Sequence, residues 1–149
     1  MSSLILLVED NPSDEKLTLR AFAKSEVPNE IVVAHDGAEA LDYLFAQWKY
    51  SDHARPPLPD LIVLDLKLPR IDGLEVIRRL RAEDSTRVIP IVVLTASREE
   101  EDVARGFSLG ANAYVRKPVA FTQFLSAVNA ISIFWLTVNE HVPRRTGIP

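Results

Sequence analysis

Residues 4–12 have the sequence LILLVEDNP, and this stretch gives the first indication of the fold. It opens with five apolar residues in a row, which predict a strand covered on both faces, because a strand with one wet face would alternate apolar and polar residues. Two acids, Glu9 and Asp10, end the strand. Asn11 and Pro12 then predict a helix start, since Asn is a favoured N-cap and Pro suits the first helical position. The stretch therefore predicts a strand–helix unit with two carboxylates at the turn between them.

The same strand–helix order recurs along the chain. Short apolar runs predict four more strands, at residues 31–34, 61–64, 91–94 and 113–115. Apolar residues at helical spacing, with helix start and stop residues, predict helices at residues 12–24, 38–48, 74–80 and 99–110, and a last one from residue 121. Five strands that alternate with five helices predict an α/β fold, in which a doubly wound parallel sheet is covered on both faces.

Length and composition fit one globular domain. The chain has 149 residues, 47% of them hydrophobic, which is enough for a full core. Its net charge of −4 gives it no general attraction for nucleic acid or an anionic membrane, and we expect neither as a partner. There is no cysteine, which excludes disulfides, thiolate catalysis and cysteine-based zinc sites.

Neither a targeting leader nor a membrane span is evident in the sequence. The first residues lack a basic stretch and a cleavage site, and no apolar run approaches the roughly 18 residues of a spanning helix. We therefore expect a cytoplasmic protein with one domain over residues 1–138. Residues 139–149 are expected to form a mobile tail, with no output domain after it.

Residues with reactive side chains follow four of the five predicted strands. Glu9 and Asp10 follow the first strand, Asp65 the third, Thr95 the fourth, and Lys117 comes just after the fifth. In open parallel sheets, functional residues gather at the carboxyl ends of the strands, beside a switch point in strand order. Each of these residues alone is an ordinary turn residue, but their convergence on one edge predicts a site.

The predicted site has the chemistry of phosphoryl transfer. Three neighbouring carboxylates repel one another, and a divalent cation would relieve the repulsion; all-oxygen ligands favour Mg²⁺. A carboxylate can attack phosphorus and form an aspartyl-phosphate. The ammonium of Lys117 and the hydroxyl of Thr95 could then neutralise and bind phosphoryl oxygens.

At this point the sequence resembles the receiver family of two-component response regulators, over roughly residues 4–130. The motifs that carry the resemblance are LVEDN at residues 7–11, LDLKLP at 64–69 with DG at 72–73, LTAS at 94–97, and Tyr114 with Lys117-Pro118. As a set these motifs are specific, although each is weak. The resemblance implies a flavodoxin-like (βα)5 sheet with strand order 2-1-3-4-5, here with an extended C-terminal helix.

The resemblance also implies a role for each matching residue. Asp65 would be the phosphoacceptor, supplied by the phosphohistidine of a histidine kinase. Asp10 and Asp65 would bind Mg²⁺ directly, Glu9 at or near the metal, and Lys67 through its main-chain carbonyl.

Four further positions would contact the phosphoryl group or respond to it. Lys117 would pair with a phosphoryl oxygen, and Ala96 would offer its backbone N–H. Thr95 and Tyr114 would form the switch, in which the hydroxyl moves toward the phosphoryl group and the aromatic ring changes rotamer. The protein would then be a signalling switch that phosphorylates and dephosphorylates only itself, and not a metabolic enzyme.

Inside the family, the sequence is similar to the single-domain regulators that serve cyanobacterial phytochrome kinases. The similar features are NPSD at residues 11–14, the proline-bearing loop at 49–59 and FWL at 134–136. They imply a phytochrome-type kinase as partner. Lys67 departs from this group, which commonly has Asn there. The lysine either alters the lifetime of the aspartyl-phosphate or is a solvated surface residue.

The final helix carries more apolar residues than packing on the sheet requires. One stripe at helical spacing should pack on the sheet: Phe121, Phe124, Leu125, Val128, Ile131 and Trp135. Ala127, Ala130, Ile133 and Phe134 lie off this stripe and predict a homodimer interface, together with the preceding helix and the fifth strand. The alternative is that residues 138–149 fold back over the patch.

Three other functions compete with phosphoacceptance. A carboxylate-nucleophile phosphatase needs a second Asp where this chain has Lys67, and a flavin-binding module needs a phosphate-cradling loop where this chain has Glu9 and Asp10. A pseudo-receiver, which binds a partner without phosphorylation, is the serious alternative. It usually lacks one of the acids, the threonine or the lysine, and all are present here.

Overall fold

A computed structural model describes residues 3–45, 57–95, 107–116 and 121–138. The elements are β1 (Ser3–Val8), α1 (Pro12–Ala23), β2 (Asn29–Ala34), α2 (Gly37–Phe45), β3 (Leu61–Leu64), α3 (Gly73–Ala82), β4 (Ile91–Thr95), β5 (Ala113–Arg116) and α4 (Phe121–Ile133). A π-helical turn, Phe134–Val138, continues α4. Residues 107–109 are helical and Gly110 follows them as a turn, while residues 99–106 of the helix predicted at 99–110 lie outside the described residues. The loop predicted at residues 49–59 is described only from residue 57, and the tail at residues 139–149 lies outside the described part.

The five strands form one sheet in the order β2-β1-β3-β4-β5, and every neighbouring pair is parallel. The predicted α/β fold and strand order are therefore confirmed. The order reverses between β1 and β3, so the crevice at the carboxyl ends of these two strands is the switch point. Val8 pairs with Leu64, and the residues that follow these two strands therefore emerge side by side.

The continuous apolar run of β1 is explained by two separate cores. Leu6 and Val8 pack in a cluster with residues of α2 and α3, whereas Ile5 and Leu7 pack in a cluster with residues of α1 and α4. All four side chains are at most 2% exposed. Burying each contributes about 1.5–3 kcal/mol, so both faces of this central strand stabilise the fold.

The predicted start of α1 has the expected cap. The side-chain Oδ1 of Asn11 accepts a hydrogen bond from the backbone N–H of Asp14 at 3.0 Å, and Pro12 is the first helical residue. The helix ends at Ala23, with Lys24 as its C-cap. The local sequence thus turns the chain away from the sheet edge directly after Glu9 and Asp10.

A half-buried arginine at the end of α3 joins three segments. The Arg81 guanidinium donates to the backbone carbonyls of Arg87, Ile89 and Gly110 at 2.9, 2.7 and 2.9 Å, and to Asn112 Oδ1 at 2.8 Å. Desolvation lowers the pKa of Arg81. Because these segments precede β4 and β5, Arg81 fixes where both strands begin.

The α4 stripe packs on the sheet largely as predicted. Phe124, Val128 and Ile131 are buried. The wider π-helical turn brings the adjacent residues Trp135 and Leu136 against the same core, which a uniform helical period does not predict.

Part of the predicted dimer patch is open to solvent. Phe134 is 47% exposed and Ala130 is also exposed, while Ala127 and Ile133 are half-buried. Over the part of the chain that the structure describes, no helix combines the length and the apolar character needed to cross a membrane.

Candidate functional site

Three carboxylates meet at the carboxyl ends of β1 and β3. Glu9, Asp10 and Asp65 each offer an oxygen, and these oxygens all lie within 4.8 Å of one another. The sheet produces this proximity: the backbone N–H of Asp65 donates to the carbonyl of Val8 at 3.1 Å, and that of Glu9 to Ala34 at 3.0 Å. The predicted convergence of these three residues is therefore observed at the switch point.

Burial and hydrogen bonds orient two of the three carboxylates. Glu9 is 2% exposed and Asp65 is 9% exposed, while Asp10 faces solvent. Glu9 Oε2 accepts from the backbone N–H of Asn11 at 3.2 Å, and Asp65 Oδ1 accepts from that of Lys67 at 3.2 Å. Each carboxylate thus has one oxygen fixed by the loop that follows its own strand.

The arrangement fits a hard divalent cation. Direct ligands of Mg²⁺ lie at about 2.1 Å from the ion, so two of them lie at most roughly 4.2 Å apart. The three carboxylates, whose oxygens lie within 4.8 Å of one another, could therefore supply direct ligands and a further carboxylate bound through water. A cation would also offset the repulsion between partly buried carboxylates. Asp10 and Asp65, with Glu9 at or near the metal, would hold it. The side chain of Lys67 is exposed beside this site.

A glycine fixes the loop after Asp65. A Cβ on Gly73 would lie 2.4 Å from the carbonyl oxygen of Asp65 and 2.7 Å from Cα of Leu66, which only glycine avoids. The backbone N–H of Gly73 donates to the Leu66 carbonyl at 2.9 Å, and Asp72 caps α3 by accepting from Glu75 N–H at 3.0 Å. The start of α3 is therefore held against the backbone of the carboxylate site.

The remaining predicted site residues are described in part. Thr95 is the last residue of β4, and its backbone pairs with Arg116. The structure describes the backbone of Thr95 but not its side chain. Ala96 and Lys117 lie outside the described residues. Tyr114 lies in β5 and packs at the edge of the core shared with α2 and α3, with its ring centroid 5.6 Å from that of Phe107.

Sequence reasoning missed two side-chain contacts that tie the starts of α1 and α2 to other segments. His35 Nε2 lies 2.9 Å from Glu15 Oε1, which joins the end of β2 to the first turn of α1. Arg70 Nη1 lies 3.4 Å from Asp36 Oδ2, which joins the loop after β3 to the start of α2. The position of Asp36 next to a loop distant in sequence gave no local signal.

The fold and the carboxylate group agree with the family to which the chain belongs. Residues 5–129 match the response regulator receiver domain, which is most of the chain. The chain belongs to this family, as the sequence motifs indicated.

Two curated relatives match nearly end to end. The chain is 38% identical over 137 residues to the probable methanogenesis regulatory protein FilR2 of Methanothrix harundinacea, covering 92% of this chain and 86% of that protein. It is 36% identical over 133 residues to the response regulator Rcp1 of Synechocystis, covering 89% of this chain and 88% of that protein.

Solved structures of phytochrome response regulators are also similar. The phosphorylated cyanobacterial phytochrome response regulator RcpA superposes with a TM-score of 0.87 at 38% identity, over 96% of this chain and 100% of that one. The Mn²⁺-bound form of Rcp1 gives 0.85 at 34% identity, over 95% and 99%. The bacteriophytochrome response regulator AtBRR gives 0.73 at 51% identity, over 94% and 99%. The predicted similarity to phytochrome regulators is confirmed.

Proposed function

We propose that this protein is a two-component response regulator that accepts a phosphoryl group on Asp65. The observation that carries the proposal is the position of Asp65: its carboxylate lies at the carboxyl end of β3, within 4.8 Å of the carboxylates of Glu9 and Asp10. Asp65 Oδ1 accepts the backbone N–H of Lys67, which orients the carboxylate that would act as the nucleophile. Receiver-family membership supports the same role.

In the proposed reaction, an Asp65 oxygen attacks the phosphorus of a kinase phosphohistidine. The new P–O bond forms as the P–N bond breaks, and the departing imidazole nitrogen takes up a proton. Glu9, Asp10 and Asp65, with the main-chain carbonyl of Lys67, would hold Mg²⁺, which would neutralise the charge on the phosphoryl oxygens. Lys117 and the Ala96 N–H would bind phosphoryl oxygens.

The proposed output is a switch through Thr95 and Tyr114. The register pairs Val93 with Tyr114 and Thr95 with Arg116, so the two switch residues sit on adjacent strands. Tyr114 packs against the exposed ring of Phe107, and a rotamer change at Tyr114 would therefore alter the surface around Phe107.

We propose a histidine kinase of the phytochrome type as the phosphoryl donor. The support is the similarity to RcpA, Rcp1 and AtBRR over nearly the whole chain. A cytoplasmic location and a role as a signalling switch, not a metabolic enzyme, belong to the same proposal.

We also propose a homodimer that uses the helix before β5, β5 itself and α4. Phe107 and Phe134 are the exposed large hydrophobic side chains among the described residues, at 48% and 47% exposure, and both lie on elements of this region. Ala127, Ala130 and Ile133 would complete the interface around Phe134.

Phosphoryl transfer from a kinase tests the function and the partner together. A phytochrome kinase labelled on its histidine with radioactive phosphate is mixed with the wild-type chain or with Asp65→Asn in Mg²⁺. We expect label on the wild type and none on the variant. Equal labelling of both would refute Asp65 as acceptor, and transfer from kinases of other sensor classes but not from the phytochrome kinase would refute the proposed partner. A pseudo-receiver would accept no label from any kinase.

A further inference from the structure

The start of α2 touches the backbone of the loop that follows Asp65. A Cβ placed on Gly37 would lie 1.9 Å from the carbonyl oxygen of Ile71, 2.7 Å from its carbonyl carbon and 2.9 Å from its Cβ. The obstacle is backbone and cannot rotate away as a side chain could. Any other residue at position 37 would therefore push the loop or α2 aside.

An aspartate next to Gly37 holds the same loop by charge. Asp36 Oδ1 accepts the backbone N–H of Glu39 at 2.7 Å, which caps α2, and Asp36 Oδ2 lies 3.4 Å from Arg70 Nη1. Arg70 has a φ of 68°, in the left-handed region that residues other than glycine rarely adopt. One carboxylate thus caps the helix and contacts the loop residue that has a positive φ.

Inside the loop, backbone hydrogen bonds between residues two apart constrain the chain between Ile71 and the carboxylate site. Ile71 N–H donates to the Pro69 carbonyl at 2.8 Å, and Leu68 N–H to the Leu66 carbonyl at 3.1 Å. Leu66 and Leu68 are buried, so the loop is anchored in the core. The backbone N–H of Lys67, in the same loop, donates to Asp65 Oδ1. The backbone between Ile71 and Asp65 therefore has little conformational freedom, and a displacement of Ile71 would move the residues next to Asp65.

We propose that Asp36 and Gly37 are positioning residues for the phosphoacceptor loop, which they hold so that the Lys67 backbone and the Asp65 carboxylate are placed for Mg²⁺. This inference rests on the proposed function, because it assigns Mg²⁺ to the carboxylates of Glu9, Asp10 and Asp65. It gives the start of α2 a role in metal affinity although neither residue is a ligand.

The test compares two changes in the first turn of α2. Gly37→Ala adds the Cβ that meets Ile71, whereas Ala38→Gly weakens the same helical turn through backbone entropy and adds no atom. The full chain is titrated with Mg²⁺ by calorimetry, the Lys67 amide is followed by nitrogen-15 NMR, and thermal unfolding reports stability.

We expect Gly37→Ala to raise the Mg²⁺ dissociation constant roughly tenfold, as losses of supporting contacts around metal ligands do. Its Lys67 amide resonance should move in the metal-free protein. Ala38→Gly should lower stability but keep the wild-type Mg²⁺ affinity and Lys67 resonance. A folded Gly37→Ala protein with wild-type Mg²⁺ affinity and an unmoved Lys67 resonance would overturn the proposal.

A second pair of variants covers the case in which Gly37→Ala does not fold. Asp36→Ser keeps an N-cap but loses the charge facing Arg70, and Arg70→Asn keeps a residue that tolerates positive φ but loses the guanidinium. Each variant should raise the Mg²⁺ dissociation constant about two- to fivefold, which corresponds to the free energy of an exposed ion pair. The double variant should have a Mg²⁺ dissociation constant no higher than that of either single variant, because both changes remove the same ion pair. Wild-type affinity in both single variants would also overturn the proposal.

The two proposals can fail separately. A wild-type chain that binds Mg²⁺ but takes no phosphoryl group would refute the proposed function and leave the positioning role standing. A wild-type chain that is phosphorylated, with variants that bind Mg²⁺ as tightly as it does, would refute the positioning role alone.

Discussion

At the scale of single residues, Lys67 lies two positions after the proposed phosphoacceptor and is a lysine with an exposed side chain. Its side chain is exposed beside Asp65, and its backbone N–H holds one Asp65 oxygen. Substitution of the side chain leaves that backbone hydrogen bond available. The effect of the lysine's positive charge can therefore be separated from the effect of the backbone hydrogen bond.

We predict that Lys67→Asn shortens the lifetime of the aspartyl-phosphate. The ammonium of Lys67 beside the phosphoryl group would stabilise that group and obstruct the attacking water. An exposed ion pair contributes up to about 1 kcal/mol, which corresponds to roughly a two- to fivefold change in the rate of hydrolysis. Phosphorus-31 NMR after removal of the phosphodonor measures the decay, and Lys67→Arg is the control that keeps the charge. An unchanged decay rate in Lys67→Asn would show that the lysine is only a solvated surface residue.

A second residue-scale prediction concerns pH. Hydrogen bonds from Arg78, and then Arg79, lower the pKa of the Glu75 carboxyl from 4.5 to about 2. Since the pKa is lower in the folded state, the contribution of Glu75 to stability is fully present above pH 4.5 and is lost as the pH falls toward 2. Thermal unfolding of the wild type and Glu75→Gln should show a difference in midpoint that is constant above about pH 5 and shrinks below pH 4.5. A difference independent of pH would contradict this account.

At the scale of elements, the strands were the most predictable part of the fold. Continuous apolar runs such as residues 61–64 bound β3 correctly, because a strand buried on both faces tolerates no polar residue. The carboxylate site was equally predictable, since Asp65 stands directly after such a run. The contact of Gly37 with Ile71 could not be predicted, because it depends on the close approach of two backbone segments that are far apart in sequence. The π-helical turn was missed because helical spacing assumes a constant period.

The Arg81 contacts give a prediction at the element scale. Arg81→Ala removes donors from three backbone carbonyls and the Asn112 side chain, and should lower the free energy of unfolding by about 2 kcal/mol. Urea unfolding measures the loss. Arg87→Ala is the matched control: it removes an exposed arginine 3.4 Å from Asp84 and should cost under about 0.5 kcal/mol. Equal losses in the two variants would refute the role given to Arg81.

At the scale of the whole molecule, an apolar surface lies open around Phe134, in the π-helical turn that continues α4. Phe134 contacts Trp135 edge to face, with ring centroids 4.9 Å apart, but remains 47% exposed. A second copy that packs around Phe134 would bury this ring together with Ala130. The proposed homodimer therefore depends on a side chain that one copy leaves about half exposed.

We predict that Phe134→Glu dissociates the homodimer and leaves the domain folded. A charge at the centre of an apolar interface is costly unless it finds a partner. Sedimentation at high protein concentration measures the mass, with and without phosphorylation. Gln123→Glu, an exposed change in the first turn of α4 where the helix dipole favours negative charge, is the control and should stay dimeric. A wild-type chain that is monomeric under all these conditions would rule out the dimer.

The most direct test of the central claim is the intact mass of the protein after incubation with Mg²⁺ and a small-molecule phosphodonor. The account predicts one added phosphoryl group in the wild type and in Asp72→Asn, which keeps an equally good cap on α3. It predicts no addition without Mg²⁺ and none in Asp65→Asn. An unmodified wild type that also fails to bind beryllofluoride, a stable phosphoryl mimic, would contradict the account and favour a receiver that acts only as a binding module.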